Sequence, residues 1–412
     1  MTGLTRSKIE TALDVLFLGG FPWPSGASAG ATLFERRFRR HARRMIMGRW
    51  PPLLRPFATI AMTLIWPLTS LRDAIRSAGY ALPGSLGGRS RRGLALSAWG
   101  CALRRNVMPI EYFAFRMFER RGHCVDSWSL GDEGTRVFAS LIAPEAEALA
   151  ADKHAFAAFC ARVGVPAMAS LALYAEGRSV EPFADGKPPA RDLVIKPRRG
   201  ARTEGIEPWF YHGGAYHGAP EDFAPRGPTL DPAQFERRLA EVSKVYRQVL
   251  VQPMLRPHPA LRALAGTGVP TARVVTGAWP DGRVEIVDAM VQRPADGDFI
   301  SQGYRFALVD PETGRIRAEA EGQRNPVFAS ACFDPVFAGL TLPDWAECRS
   351  LVLRAHAAFP GPAPLLGWDV GFSDAGPVAI ETNVGLSFFQ FQMASLRPAL
   401  KGPLGPLVEA WL

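Results

Sequence analysis

The hydrophobic and polar positions of the chain follow helical spacing in the N-terminal third and a mixed pattern afterwards. Phe34, Phe38 and Ala42 recur every four positions, in a stretch that also contains seven arginines. This spacing predicts an amphipathic helix over residues 33–50. The next apolar run, residues 56–71, has no charged residue but is interrupted by a proline. It is shorter than the roughly 20 apolar residues of a membrane-spanning helix.

The remainder of the chain alternates between helical segments and short β-rich runs. Helices are predicted over residues 144–163, 231–247 and 344–359, and the last two begin with an Asp or Pro-Asp start signal. Strands are predicted over residues 193–196, 249–252, 271–276, 284–291, 304–309, 365–372 and 378–381. The pattern predicts an α+β fold with two lobes of antiparallel sheet and flanking helices, preceded by a basic, mainly helical N-terminal region.

The last two predicted strands form a hairpin, GWDVGFSDAGPVAIETNVG, over residues 367–385. Asp369 and Glu381 each lie six residues from Ala375, so they face each other in a symmetric hairpin. Like charges at facing positions destabilise an antiparallel pair. A Mg²⁺ ion would resolve the conflict, because oxygens of Asp, Glu and the nearby Asn383 suit this hard cation. A solvated outer face of the sheet is the alternative.

Alternation of side chains along the hairpin also predicts its two faces. The core face is predicted to comprise Trp368, Val370, Phe372, Val378, Ile380 and Thr382. Gly371 and Ala379 would share the face of the two carboxylates. Such small residues leave room above the sheet for a bound group.

The net charge of +9 is unevenly distributed along the chain. Residues 1–130 contain 20 basic and 7 acidic side chains, whereas residues 131–412 contain 28 and 32. A basic segment over residues 33–72 could bind an anionic membrane surface. It could equally pack a basic face against the acidic C-terminal part. Nucleic acid is disfavoured as a partner, because no zinc-finger, RNP or helix-turn-helix pattern is present.

The five cysteines are odd in number and form no CxxC pair. A disulfide framework or a structural zinc site is therefore disfavoured, and a reducing cytoplasm fits better. This predicts a cytoplasmic protein, which would be peripheral on the inner face of the membrane if the basic N-terminal region binds lipid rather than the acidic C-terminal part.

Polar residues at the ends of two predicted strands suggest a nucleotide site. Lys196 ends a strand and is followed by a loop with Gly200 and Gly205, which could hold a phosphate or be an ordinary basic turn. In VLVQPMLRPHP a buried strand reaches Gln252 and a proline that frees the chain from the sheet. Backbone groups there could contact a planar base, and His258 could be a polar contact or a simple loop residue.

Arg273 lies in the otherwise apolar strand TARVVT. A charged residue in such a strand must be paired or face a cleft. A structural ion pair, for instance with Glu381, and a bound phosphate are both consistent with the pattern.

Taken in order, these motifs resemble the ATP-grasp superfamily over roughly residues 140–400. The series begins with Lys196 and the glycine-containing loop that follows it, and continues with the strand edge VLVQP that contains Gln252. The strand with Arg273 comes next, and the pattern D(x11)ExN, from Asp369 to Asn383, is last. The hairpin sequence, with QP..HP and TxR, resembles the branch associated with sugar transfer. The resemblance implies that ATP is gripped between two lobes, residues 131–255 and 256–412, which follow the N-terminal region of residues 1–130.

The resemblance also implies roles for individual residues. Asp369, Glu381 and Asn383 would hold two Mg²⁺ ions, for which Mn²⁺ could substitute. Lys153 and Lys196 would contact the ATP phosphates.

The other nucleotide contacts and the catalytic groups follow from the same resemblance. The ATP site would further include Gly200, Gly205, Gln252, Met254, Leu255 and His258, with the segment from Gln252 to Leu255 along the adenine. Arg273 would act with Lys196 in catalysis by steadying the transferred phosphate.

The chemistry implied is that of an ADP-forming ligase. A small-molecule or saccharide-linked carboxylate would become an acyl phosphate, from which an amine or another nucleophile displaces phosphate. The branch implies a role in cell-surface polysaccharide or glycoconjugate biosynthesis. A phosphotransferase acting on a hydroxyl and a non-catalytic, membrane-associated nucleotide-binding protein are the alternatives. No GxSxG or Cys/His motif indicates a side-chain nucleophile.

Overall fold

The computed structural model describes residues 31–48, 50–119, 128, 131–200, 205–219, 227–262, 269–294, 304–317, 332–333, 335–337 and 339–412. Helices in the N-terminal region are α1 Leu33–Gly48, α2 Arg55–Tyr80, α3 Arg91–Arg105 and α4 Pro109–Ala114. Later helices are α5 Gly131–Ser140, α6 Pro144–Ala150, α7 Lys153–Arg162, α8 Pro232–Tyr246, α9 Trp345–Ala357, α10 Phe389–Ser395 and α11 Leu404–Trp411. Among these described helices none is long and apolar enough to cross a bilayer.

The described strands form two sheets. The first has the order β2-β1-β7-β3-β4-β5-β6 and is antiparallel throughout. Its strands are β1 Ala172–Ala175, β2 Arg178–Glu181, β3 Leu193–Pro197, β4 Glu207–His212, β5 Ala215–Gly218, β6 Thr229–Leu230 and β7 Gln248–Pro253.

The second sheet has the order β11-β10-β9-β8-β12-β13 and is antiparallel except for the short β10–β11 pair. Its strands are β8 Thr271–Ala278, β9 Val284–Pro294, β10 Tyr304–Leu308, β11 Cys332–Phe333, β12 Leu365–Ser373 and β13 Gly376–Asn383. The predicted α+β fold with two largely antiparallel sheets is confirmed.

The predicted elements are confirmed with one correction. All seven predicted strands are present, with bounds that shift by a few residues, and the N-terminal region is helical where it is described. The single helix predicted over residues 144–163 is wrong, because the chain forms α6 and α7 instead. Asp152 separates them: its backbone is extended and its carboxylate accepts a hydrogen bond from the Ala155 N–H, which starts a new helix.

Helix α8 covers the first sheet. Phe235, Leu239 and Val242 recur at helical spacing and are buried against that sheet. Asp231 begins the helix with a capping box, in which its carboxylate accepts from the Gln234 N–H while the Gln234 side chain accepts from the Asp231 N–H.

The second sheet lies between two helical layers. Val274 and Val275 are neighbours in β8, yet they enter different hydrophobic cores because side chains alternate across a strand. The core containing Val274 includes Phe156 of α7 and residues of α9. The core containing Val275 includes Phe38 of α1 and Phe138 of α5. The N-terminal region therefore packs on the C-terminal part through apolar side chains such as Phe38.

A chain of buried polar groups crosses the core beneath β12. The indole N–H of Trp368 donates to the Thr276 hydroxyl (2.7 Å), and that hydroxyl lies 2.6 Å from Nδ1 of His356. Nε2 of His356 lies 2.7 Å from the Ala363 carbonyl and must therefore carry the proton that it donates. Nδ1 is then the acceptor, and His356 is neutral. Burial lowers the pKa of His356 to about 4.

This histidine should make stability depend on pH. In the unfolded chain His356 would titrate near the ordinary histidine pKa of 6.5, so acidification below that value protonates the unfolded state first and favours unfolding. Between pH 7 and pH 5 the loss should be about 2 kcal/mol. We expect the thermal midpoint of the wild-type protein to fall more steeply over this range than that of His356→Gln. The exposed His212 provides the control, since His212→Gln should keep the wild-type slope. Parallel curves for all three proteins would contradict the assignment.

Candidate active site

A cavity of about 780 Å³ lies between the two sheets. Nine of the residues predicted from the sequence line it together: Lys153, Lys196, Gly200, Gln252, Leu255, Arg273, Asp369, Glu381 and Asn383. They come from α7, from both sheets and from the segments that follow β3 and β7. The cavity is therefore built by parts of the chain that are more than 200 residues apart.

Three other predicted residues do not line this cavity. Gly205 has a positive φ of 74° and packs against Tyr246, where a Cβ atom would come within 2.7 Å of the Tyr246 ring. The Met254 N–H donates to the Asp192 carbonyl. The ring of His258 accepts a hydrogen bond from the Ala260 N–H and so begins a short 3-10 turn. Residues 201–204 of the predicted glycine loop lie outside the described residues.

The hairpin brings its two carboxylates face to face, as its symmetry predicts. Asp369 of β12 is opposite Glu381 of β13 in the strand register. The same residue of β12 is opposite Arg273 of β8 on its other side. Asp369 is thus the middle one of three charged residues on three adjacent strands. Glu381 is on one side of it and Arg273 is on the other.

The predicted division of the hairpin into two faces is confirmed for Trp368, Val370 and Phe372, which lie in the core, but it is wrong on β13. A β-bulge follows Asp369, so that Val370 is opposite Ala379 and Ile380 is the extra residue. Ala379 is consequently buried in the core with Val370, whereas Ile380 lines the cavity. The space above Gly371 is filled as well, because a Cβ atom there would lie 2.1 Å from Cδ2 of Leu255.

Arg273 is the partner of Asp369. Its guanidinium contacts both carboxylate oxygens, through Nε to Oδ1 and through Nη2 to Oδ2 at 2.9 Å. The amide of Asn383 donates to Oδ2 at 3.4 Å. Burial and the nearby Glu381 raise the pKa of Asp369, and Arg273 opposes this effect. The sequence pattern is consistent with Glu381 or a bound phosphate as the partner of Arg273. Because β8 is paired with β12, the residue opposite Arg273 is Asp369.

Glu381 faces two lysines across the cavity. The ammonium of Lys153 lies 3.7 Å from its carboxylate and donates to the Gly200 carbonyl at 2.9 Å. Lys196 is only 6% exposed, and burial lowers its pKa to about 8, although the charge of Glu381 acts in the opposite direction. Positive and negative groups thus meet here from opposite walls.

A clamp around Asp152 fixes the two lysines relative to each other. Asp152 accepts hydrogen bonds from Arg198 at 2.8 and 2.9 Å and from Arg199 at 3.3 Å. The backbone N–H of Lys153 donates to the Arg198 carbonyl. Burial raises the pKa of Asp152. Its hydrogen bonds with Arg198 and with the Ala155 N–H outweigh burial and lower this pKa to about 2. The start of α7 and the end of β3 therefore form one unit.

Among the cavity residues that were not predicted from the sequence are two polar residues of one strand. Gln292 and Arg293 lie near the end of β9, line the cavity and are buried. Gln292 is opposite Thr271 of β8, so the two residues extend the wall that holds Arg273. The signal that could have found Arg293 is the one that identified Arg273, namely an arginine in a strand whose other residues are mostly apolar.

Comparison with known proteins gives one family match. A model of the sugar-transfer associated ATP-grasp family matches residues 136–402. No curated protein matches the chain.

Solved structures resemble the chain only distantly. A D-cycloserine synthetase is 15% identical, with 64% of this chain and 71% of that chain covered and a TM-score of 0.36. D-alanyl-alanine synthetase A from Vibrio cholerae is 13% identical, with 63% and 62% covered and a TM-score of 0.36. A D-Ala:D-Ser ligase from Enterococcus faecalis is 12% identical, with 64% and 63% covered and a TM-score of 0.37. The chain thus spans less than two thirds of the latter two.

Removal of the Asp152 carboxylate should loosen both lysine-bearing segments. Asp152→Ala takes away a helix cap and the buried acceptor of charge-assisted hydrogen bonds from the half-buried Arg198, so we expect a loss of about 2–3 kcal/mol of unfolding free energy. Asp231→Ala is the matched control, because it removes only the cap of α8 and should cost about 1 kcal/mol. Hydrogen exchange should become faster at residues 197–200 in the first variant alone. Equal losses of stability with unchanged exchange would refute the clamp.

Proposed function

The chain belongs to the sugar-transfer associated ATP-grasp family, and on this premise we propose that it is an ATP- and Mg²⁺-dependent carboxylate ligase. In the proposed reaction a carboxylate attacks the γ-phosphate of ATP, which gives an acyl phosphate and ADP. An amine or another nucleophile then attacks the acyl carbon and displaces phosphate. The observation that carries the proposal is the facing pair Asp369 and Glu381, opposite Lys153 and Lys196 in one cavity.

The donor set of the hairpin suits Mg²⁺. Asp369, Glu381 and Asn383 offer carboxylate and carboxamide oxygens at neighbouring positions of two paired strands. The Glu381 side chain is 33% exposed, so its carboxylate can reach a ligand in the cavity. We propose that these three residues hold two ions, for which Mn²⁺ could substitute. When bound, Mg²⁺ neutralises charge on the phosphates and so favours attack on them.

The lysines are proposed to bind the phosphates of ATP. Lys153 and Lys196 provide point charges from the wall opposite the acidic pair. The Gly200 carbonyl orients the Lys153 ammonium, and the loop that begins there can add backbone N–H donors. A phosphate beside Lys196 would favour its protonated form and so offset the effect of burial on its pKa.

The base and sugar of the nucleotide are assigned to the segment that follows β7. Gln252, at the end of β7, and Leu255 line the cavity, with Met254 between them. The side-chain amide of Gln252 donates to the Met168 carbonyl and the Met254 N–H donates to the Asp192 carbonyl, so we assign recognition of a planar base to the other backbone groups of this segment.

Arg273 is proposed to act on the group in transfer. It lies beside Asp369, where it can offset charge that spreads over the γ-phosphoryl oxygens. Gln292 and Arg293 continue the same wall, and we place the carboxylate of the acyl substrate near them. None of these steps requires a side chain as nucleophile.

The substrate class follows from the family description alone. We propose a saccharide-linked or small-molecule carboxylate in the biosynthesis of a cell-surface polysaccharide or glycoconjugate. A cytoplasmic location with peripheral contact to the inner membrane would suit a substrate of this class that is carried on a lipid.

Replacement of Glu381 tests the metal site. We expect Glu381→Gln to reduce Mg²⁺-dependent ADP release on the order of a hundredfold or more, because a charge that offsets the cation is lost. ADP release would be screened with amino acids and sugar acids as carboxylates. Glu285→Gln is the matched control: Glu285 lies in the same sheet, is also 33% exposed and is also paired with a basic residue, Arg283. Equal rates in Glu381→Gln and the wild type would refute the metal assignment.

The products separate a ligase from a phosphotransferase. For a ligase, steady ADP release should require both the carboxylate and the nucleophile, and phosphate should appear in equal amount. A phosphorylated hydroxyl compound without free phosphate would instead identify phosphoryl transfer to a hydroxyl. Mass spectrometry of the products with ADP and phosphate assays distinguishes the two.

A further inference from the structure

Helix α2 exposes a stripe of large apolar side chains. Phe57, Ile60, Leu64, Leu68 and Ile75 recur at helical spacing, and each is between 59% and 71% exposed. We call these five residues the apolar stripe. At about 1.5 Å per residue it is roughly 27 Å long. Exposed apolar surfaces of this extent usually mark an interaction site.

The opposite face of α2 is built from smaller residues. Ala58, Ser70, Ala74 and Ala78 are buried there, with Trp66 as the one large side chain among them. An ordinary helix on a protein surface has the reverse arrangement, with its large apolar residues inside. The small inner residues let α2 approach α3 closely, so the stripe is not needed to hold the helix in place.

Hydrogen bonds fix the helix with the stripe outward. The Trp66 indole donates to the Ala102 carbonyl of α3 at 3.3 Å, and the Trp99 indole of α3 donates to the Pro67 carbonyl at 2.9 Å. Rotation of α2 to bury the stripe would break both bonds and expose two tryptophans. The outward position of the stripe is therefore a property of the fold.

The surroundings of the stripe are strongly basic. Residues 31–119 contain 16 arginines and 4 acidic residues, and two of the acids, Glu35 and Glu111, are buried. Arg55 and Arg76 are exposed near the two ends of the stripe. A second copy of this chain would bring like charges together, whereas an anionic surface would find complementary ones.

We propose that the apolar stripe docks on a membrane that contains anionic lipid. The stripe would enter the boundary between head groups and acyl chains, and the flanking arginines would meet lipid phosphates. Nucleic acid would engage the arginines but would leave five large apolar side chains without a counterpart. The N-terminal helices share a core with the second sheet, so docking would also hold the cavity at the membrane.

Vesicle flotation with the full chain tests this proposal. We expect the protein to float with phosphatidylcholine vesicles that contain phosphatidylglycerol, and less with phosphatidylcholine alone. Leu64→Ser/Leu68→Ser should weaken the partition by roughly tenfold or more, because two apolar side chains are lost from the lipid. Val180→Ser/Val245→Ser is the matched control: both valines are exposed on the first lobe, and this variant should float like the wild type.

One further double variant and a change of salt concentration complete the test. Arg55→Gln/Arg76→Gln should reduce the preference for phosphatidylglycerol, and high salt should do the same to the wild type. Thermal midpoints within error of the wild type would show that each variant is folded.

Three results would overturn the proposal. The stripe variant could float as well as the wild type. The wild type could form a dimer and fail to bind vesicles, while the stripe variant is a monomer. Finally, the protein could float only after removal of residues 1–30, which would identify that segment as the cover of the stripe.

Discussion

The position of Asp369 on a central strand is the constraint on which the site depends. A carboxylate buried between two neighbouring strands must find partners on both. It has Arg273 on β8 and Glu381 on β13, and the first interaction makes the second tolerable. Arg273 opposes the effects of burial and of Glu381 on the pKa of Asp369. Without a strand order that places β12 between β8 and β13, Asp369 would lack the guanidinium that contacts both of its carboxylate oxygens.

The same constraint gives the cavity its polarity. Arg273 contacts both carboxylate oxygens of Asp369, while Glu381 faces the opposite wall, where Lys153 approaches to 3.7 Å. Lys196 lies deeper, and its low pKa shows that the charge of Glu381 does not fully compensate for its burial. The acidic hairpin and the lysine wall are thus complementary, and each has capacity left for a charged ligand. A nucleotide phosphate with its cation would satisfy both, since it carries the two signs of charge that the walls require.

Local patterns in the sequence predicted the hairpin well, because its turn and its strand period are properties of adjacent residues. The facing pair Asp369 and Glu381 follows from counting outward from Ala375. The bulge at Ile380 could not be found this way, because strict alternation has no place for an extra residue. The partner of Arg273 depends on strand order, which arises from contacts almost 100 residues apart. The helix break at Asp152 has a local signal in the sequence, because Asp is a capping residue. The overall apolar pattern of the predicted helix obscured this signal.

The N-terminal region illustrates why charge alone was a poor guide to packing. Its arginines suggested two alternative binding partners, namely an anionic surface outside the protein and the acidic part of the same chain. In the structure, apolar residues of this region such as Phe38 join the core of the second sheet. Its exposed arginines and the apolar stripe lie on other faces of the same helices. One helical layer can therefore complete the core and still present a binding face. Because that layer shares a core with the sheet that carries Asp369, a partner bound to the stripe would also fix the orientation of the cavity.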